Sequence, residues 1–443
     1  MARTAQLRFD ELSPRAAAAA WRERLATTEM RMFAQSSPAK LIAVGLMLLG
    51  MCLAAGAVTA TAVNNRQHAL DVLLDQAEPD AYSAQRLYTS LSVADASAGT
   101  AFIAGGLEPK PVRDRYNQAV GEAAAELVTQ SNRSEGDADT HLRSGIATGL
   151  PVYSGIVETA RADNRSGLPV GAAYLSEASN LMQGTVLPMA QELQEHRSAA
   201  ITATQRNHVR PPWPAIVLPL LAVAALVSAQ LFLFRRWNRV LNLGLLLASG
   251  TMVVLLSWTV IAGVISAIAT TDSRDHGSIP GAALTESRIL AQQARTAETL
   301  KLVRRDTSAE YDKTYDQATG KLRSILNAYT TDSPGSHNIG TAIGALDLWT
   351  AAHQRMNDAL FRGDFNGAGA VATGPGANEA TAQVDALDRA LADGIGDTRS
   401  TLRSNTSRAA RTLDLLTPGA LVLSTAAAIF VAVGLWPRLR EYR

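Results

Sequence analysis

Cysteine is almost missing from this chain. Cys52 is the only one in 443 residues, so no intramolecular disulfide is possible and any folded part outside lipid must hold by packing. Aromatic residues make up only 5%, and alternating β-branched runs, the mark of strands, are sparse. Charge is missing locally. The stretches 41–63, 215–234, 240–270 and 418–436 contain no Lys, Arg, Asp or Glu. Each is close to the roughly 20 apolar residues needed to cross hydrocarbon. Uncharged runs of that length predict four membrane helices. A 40-residue arm ahead of the first argues against a cleaved signal peptide.

Catalytic chemistry is lacking too. The seven histidines (His68, His141, His196, His208, His276, His337 and His353) never stand three or four residues apart. No HExxH or paired-cysteine zinc pattern occurs, nor a P-loop, dinucleotide fingerprint, nucleophile elbow or kinase motif set. The reading therefore assigns no catalytic residue, cofactor or metal, and expects no enzyme. Arg362-Gly-Asp364 spells an adhesion tripeptide, but it falls where a helix ends. Transporters place polar or broken helices at mid-bilayer, whereas these spans are Leu, Ala, Val and Gly inside. The small-residue pairs Gly50/Ala54, Gly56/Ala60 and Gly244/Ala248 read as packing contacts among the four spans.

What is present is a layout that occurs twice. A span leads into a long polar segment that returns to a second span, and after a short basic hairpin the arrangement repeats. The predicted organisation is a cytoplasmic arm (1–40), span (41–63), helical bundle (64–213), span (214–234), hairpin (235–239), span (240–270), second bundle (271–417), span (418–436) and tail (437–443). Arm, hairpin and tail together hold 13 basic and 5 acidic residues. The two long segments hold the remaining 28 basic and 35 acidic. The positive-inside bias puts both termini in the cytoplasm of a multi-pass plasma-membrane protein and both long segments outside. The formal net charge of +1 gives no reason to expect nucleic acid.

Sequence echoes accompany the repeated layout. Tyr116-Asn-Gln-Ala-Val-Gly121 pairs with Tyr315-Asp-Gln-Ala-Thr-Gly320, Leu150-Pro-Val-Tyr153 with Leu346-Asp-Leu-Trp349, and Gly167-Leu-Pro-Val-Gly171 with Gly363-Asp-Phe-Asn-Gly367. Three matches in order, at nearly constant spacing, point to duplication. Each long segment is rich in helix formers. Breakers divide the first into pieces near 80–105, 110–133, 138–166 and 168–209, and the second into 281–305, 307–329, 336–362 and 364–416. Ala84, Leu87, Leu91, Ala94, Ala98 and Ala101 form one apolar stripe. The fold class is all-α: four transmembrane helices with two duplicated four-helix bundles. Pro211, Pro212, Pro214 and Pro418 mark hinged returns to the membrane.

The strings Tyr153-Ser-Gly-Ile-Val-Glu-Thr-Ala-Arg-Ala-Asp-Asn164, Gly167-Leu-Pro-Val-Gly-Ala-Ala-Tyr-Leu175 and Gln293-Ala-Arg-Thr-Ala-Glu-Thr-Leu-Lys-Leu-Val303, within this layout, resemble the actinobacterial GlnX-type membrane proteins. These are four-span proteins with two extracytoplasmic helical sensor domains. The resemblance implies a non-catalytic transducer. It would relay amino-acid availability, sensed by a solute-binding lipoprotein, to a cytoplasmic Ser/Thr protein kinase that adjusts glutamate metabolism. With four residues after the second span and seven after the fourth, the output is expected to reside in another polypeptide. A scaffold of an envelope complex or a transporter accessory subunit is the alternative, and a homo-oligomer is compatible with either.

Two places are candidates for contact. Arg161, Asn164 and Gly167, matched by Phe361, Gly363 and Asp364, form turns that would sit at one end of the bundles and could dock a lipoprotein. The same residues also read as helix punctuation, with Gly167 and Gly363 as C-cap glycines. In the arm, Ser13-Pro14 starts a helix whose face carries Trp21, Leu25 and Met32, flanked by Arg22. It suits either membrane lipid or a docking kinase.

Overall fold

A computed structural model describes residues 37–104, 108–129, 136–209, 213–237, 242–305, 309–374 and 376–440. Among them every regular element is helical: α1 (Ser37–Val72), α2 (Glu78–Ala104), α3 (Lys110–Thr129), α4 (Asp137–Arg165), α5 (Val170–Leu181), α6 (Leu187–Val209), α7 (Trp213–Trp237), α8 (Leu243–Ser273), α9 (Ile279–Arg304), α10 (Glu310–Ala328), α11 (Ser336–Phe361), α12 (Phe365–Thr373), α13 (Ala380–Arg411) and α14 (Leu416–Arg440). Four helices are long and apolar enough to cross a membrane. The protein is an all-α membrane protein.

Three wide turns interrupt helices without ending them: Leu73–Ala77, Met182–Val186 and Arg274–Ser278. Each closes with a π bond five residues back, from Glu78 to Leu73, Leu187 to Met182 and Ile279 to Arg274. Each is followed, two residues past its end, by a proline: Pro79, Pro188 and Pro280. Proline offers no N–H and its ring collides with the carbonyl four residues earlier. A wide turn just ahead relieves that collision and lets the helix continue.

The chain forms two compact units. The first holds the spans. Leu48, Cys52 and Ala55 of α1 join Leu226 of α7, Leu245 and Met252 of α8, and Ala427 and Val431 of α14 in one core. Glycine sets the closest approaches. A Cβ on Gly244 would meet Gly434 Cα at 2.4 Å, and one on Gly419 would meet the Trp258 ring at 2.6 Å. Asn242 Nδ2 donates to the Gly434 carbonyl at 2.7 Å. Large apolar residues such as Met47, Ile261 and Val422 cover the outside, as lipid solvent requires. Of the three small-residue pairs, Gly56/Ala60 and Gly244/Ala248 pack inward. Gly50 and Ala54 are exposed, because they lie on the face of α1 opposite the one Leu48, Cys52 and Ala55 turn to the core.

The second unit holds two bundles. The first, α2 to α6, closes over Leu87, Leu91, Tyr116, Ile146, Tyr153 and Met182. The second, α9 to α13, closes over Leu284, Tyr315, Leu322, Leu346, Trp349 and Leu391. Tyr116 and Tyr315, Leu150 and Leu346, and Tyr153 and Trp349 are all buried. The apolar stripe on α2 is buried throughout. From about Thr89 onward its opposite face is largely buried too, because α2 and α9 lie side by side and bury Ser97, Thr100, Thr296 and Thr299 between the bundles. The fourth piece of the second bundle is broken rather than continuous. Thr373 ends α12, and α13 begins only at Ala380. Gly374, ahead of a proline in the sequence, is extended (φ −63°, ψ 158°), the conformation that a following proline favours. The final return breaks at 412–415 instead of at Pro418, which falls in the first turn of α14.

Candidate functional site: the glycine turns, two buried carboxylates and an interbundle cleft

The α4–α5 and α11–α12 turns lie at the same end of the second unit. Each is a Schellman motif. Gly167 N–H donates to the Asn164 carbonyl at 3.1 Å and Leu168 N–H to Asp163 at 2.9 Å. Gly363 donates to Leu360 at 2.9 Å and Asp364 to Ala359 at 2.9 Å. Both glycines take the left-handed conformation, φ +69° and +79°, which is why glycine stands there. Asp364 then caps α12, its carboxylate accepting from Gly367 N–H at 2.8 Å.

Arg161 and Asn164 are not free. The Arg161 guanidinium bonds Glu108 at 3.0 Å and Glu158 at 2.6 Å, and lies 4.1 Å over the Tyr116 ring. Asn164 Nδ2 donates to the Phe102 carbonyl at 3.3 Å. Asn164 fastens the end of α4 to the end of α2, and Arg161 fastens it to Glu108 and to α3. Phe361 differs: it is 96% exposed, and Leu168, Val170 and Phe365 are also open to solvent. An apolar fringe therefore surrounds the turns. Trp21, Arg22, Leu25 and Met32 lie outside the described residues.

Each bundle also buries one carboxylate of its first helix against an aromatic residue of its third. Asp95 accepts from Ser179 Oγ and Gln183 Nε2, both at 2.9 Å, with the Tyr153 hydroxyl at 3.4 Å. Burial pushes its carboxyl up, and hydrogen bonds from Gln183, Ser179 and Tyr153 offset this only in part. Glu298 is surrounded differently. Arg295 Nη1 lies 2.6 Å away, Trp349 Nε1 donates at 3.1 Å, and His353 Nδ1 approaches to 3.1 Å. Burial again pushes the carboxyl up, but the His353 hydrogen bond and the Arg295 charge outweigh it and hold Glu298 below the ordinary glutamate range. His353 stacks flat on Tyr315, ring centroids 3.6 Å apart. Lys301 completes the network, bonding Asp312 at 2.6 Å and Asn357 at 2.8 Å.

A cleft of about 530 Å³ opens between the bundles near the other end of this unit. Its walls come mainly from α2, α6, α9 and α13, with Lys321 of α10. Glu78, the first residue after one π turn, is buried and bonded by Arg399 and Arg403. The Arg399 guanidinium also lies 3.8 Å over the Tyr82 ring. Gly277 and Ser278 of another π turn also line the cleft. Four glutamines (Gln85, Gln191, Gln194, Gln293) face the cleft, with Ile289, Leu290 and Leu402 as its apolar part. Among the described residues, no group of three His, Cys, Asp or Glu is placed to hold a metal ion.

Residues 69–206 match the family model for an actinobacterial sensor domain. The matched stretch runs from the end of α1 to the end of α6 and so takes in the whole first bundle. It fits a sensor membrane protein of actinobacteria and points to a non-enzymatic role in sensing. No curated protein and no solved structure matches the chain.

Sequence reasoning found the turn glycines but missed the buried network. A signal was present. Arg295, Glu298 and Lys301 stand three apart on one helix and all are buried, where a solvated helix would expose them. The cleft had no such signal. Its residues come from helices of both halves that only the side-by-side packing of the bundles brings together.

Proposed function

We propose that this protein is a transmembrane signal transducer without catalytic activity of its own. It receives an extracytoplasmic amino-acid signal through a solute-binding lipoprotein and passes it to a cytoplasmic Ser/Thr protein kinase that controls nitrogen and glutamate metabolism. One observation carries the sensing part: the bundle that matches a sensor domain is joined in sequence to apolar helices on both sides. The resemblance of the layout and of the quoted strings supplies the partners. The charge asymmetry supports an orientation with both bundles outside and both termini in the cytoplasm. The shared burial of Tyr116 with Tyr315 and of Tyr153 with Trp349, and the paired glycine turns, support origin of the halves by duplication.

The lipoprotein is proposed to dock on the two glycine turns, where Phe361 projects as an exposed aromatic anchor. The amino-terminal arm, with Trp21, Arg22, Leu25 and Met32, is proposed to meet the kinase or the lipid surface. Affinity purification of the full chain from mildly solubilised membranes tests the reading. Recovery of both a solute-binding lipoprotein and a Ser/Thr kinase is expected. Recovery of neither, under conditions that preserve other envelope complexes, overturns it. Phe361→Ser should lose the lipoprotein and keep the kinase.

A further inference from the structure

The cleft between the bundles has features that helix packing alone does not require. Its volume, about 530 Å³, lies within the range of small-molecule sites, and it sits at a boundary between two packed bodies, where such sites concentrate. Glutamines are common on solvated helix faces, but here four converge from α2, α6 and α9. Each carries one acceptor and two donors. Gln194 Oε1 is buried and accepts no hydrogen bond from the described residues. Both signs of charge are present: Arg399 on one side, and the Lys321–Glu286 pair (2.6 Å) with Glu195 on others. Two π turns border the space, and such turns recur at functional sites.

This chemistry selects among ligands. Four amides and several charges are wrong for an apolar molecule. A pure anion would meet Glu78, Glu195 and Glu286, and a pure cation would meet Arg399 and Lys321. The charges already pair within the lining, Arg399 with Glu78, Lys321 with Glu286 and Gln191 with Glu195, so a net-neutral molecule with one charge of each sign and amides between them is the ligand that this mixed lining opposes least. The geometry points to a short peptide: we propose that the cleft between α2, α6, α9 and α13 binds a free peptide of a few residues. The carboxylate lies toward Arg399, the ammonium toward Gln194 Oε1 and Glu195, and the backbone amides pair with the glutamine side chains. This goes beyond the lipoprotein-fed reading, because the ligand reaches the transducer directly.

The test uses the full-length protein in nanodiscs and isothermal calorimetry with trialanine. Trialanine is expected to bind. N-acetyl-trialanine, which lacks the ammonium, and trialanine amide, which lacks the carboxylate, should each bind at least about tenfold more weakly, as loss of a charged hydrogen bond implies. Gln194→Met keeps the side-chain length and removes an acceptor that none of the described residues uses. It should weaken trialanine about tenfold while leaving the melting temperature unchanged. No binding of trialanine, equal binding of the blocked peptides, equal binding of free alanine, or a Gln194→Met variant that binds like the parent each overturns the proposal. Binding is read on the isolated protein, so its failure leaves the partner reading untouched, and failed co-purification leaves the cleft untouched.

Discussion

Asp95 and Glu298 occupy comparable places in their bundles, yet they bind protons with opposite bias. Folding raises the Asp95 pKa. Between the ordinary aspartate value, about 3.9, and that raised value, the folded protein keeps a proton that the unfolded chain has released. Its contribution to stability therefore falls as pH rises through that window. Asp95→Asn keeps the shape and an acceptor for Gln183, so it should raise stability at neutral pH by about 1–3 kcal/mol and remove this slope. Thermal unfolding of the two proteins followed by circular dichroism from about pH 4 to about pH 8 reads both effects, and parallel curves would refute the assignment. Glu298 is depressed, so its contribution is complete above the ordinary glutamate value, about 4.3, and is lost as pH falls through its lower folded value. Glu298→Gln leaves Arg295 buried without its counter-charge and should destabilise by about 3–5 kcal/mol. Replacing Arg295 by methionine in that background should restore part of the loss. An unchanged melting temperature for Glu298→Gln would show that the network is dispensable.

At the scale of elements, the helices were legible because glycine and proline punctuate them. Gly167 and Gly363 announced two helix ends, and the structure gives the reason in their positive φ. Nothing packs within 4 Å of a Cβ added at either position, so Gly363→Ala meets backbone strain alone, about 1–2 kcal/mol. Phe361→Ser should change stability by less than about 0.5 kcal/mol, because the ring is already in solvent. Melting curves of this pair separate a turn that shapes the fold from a ring that serves contact. A large loss for Phe361→Ser would mean the ring is structural. The seam between α2 and α9 was not legible. Ser, Thr, Ala and Gly on the outer face of α2 read as a solvated surface in one bundle, and only a neighbouring bundle turns them into an interior. There Gly99 lets Thr299 approach to 3.2 Å from where a Cβ would stand. The π turns are not legible for another reason: a proline looks the same in the sequence whether the helix stops there or a widened turn lets it run on.

At the scale of the whole molecule, the four spans and the charge asymmetry were the plainest signals, because bilayer thickness fixes a length that side-chain detail cannot disguise. The single cysteine makes the orientation testable. In a Cys52→Ala background, cysteines placed at exposed Val152 and Leu348 should react with a membrane-impermeant maleimide on intact cells. Reaction only after permeabilisation would invert the topology. The π turn before Glu78 has a mechanical consequence. Five residues wound regularly would sweep about a quarter turn further than the same five wound wide. Pro79 acts as the pawl that holds the winding open. Pro79→Ala frees the segment to tighten, swing Glu78 away from Arg399 and Arg403, and lower the melting temperature while far-UV circular dichroism stays the same. An unaltered melting temperature would show the pawl to be idle. Pro188 and Pro280 stand in the same position behind their own turns, so the described residues hold three such catches, two of them bordering the cleft.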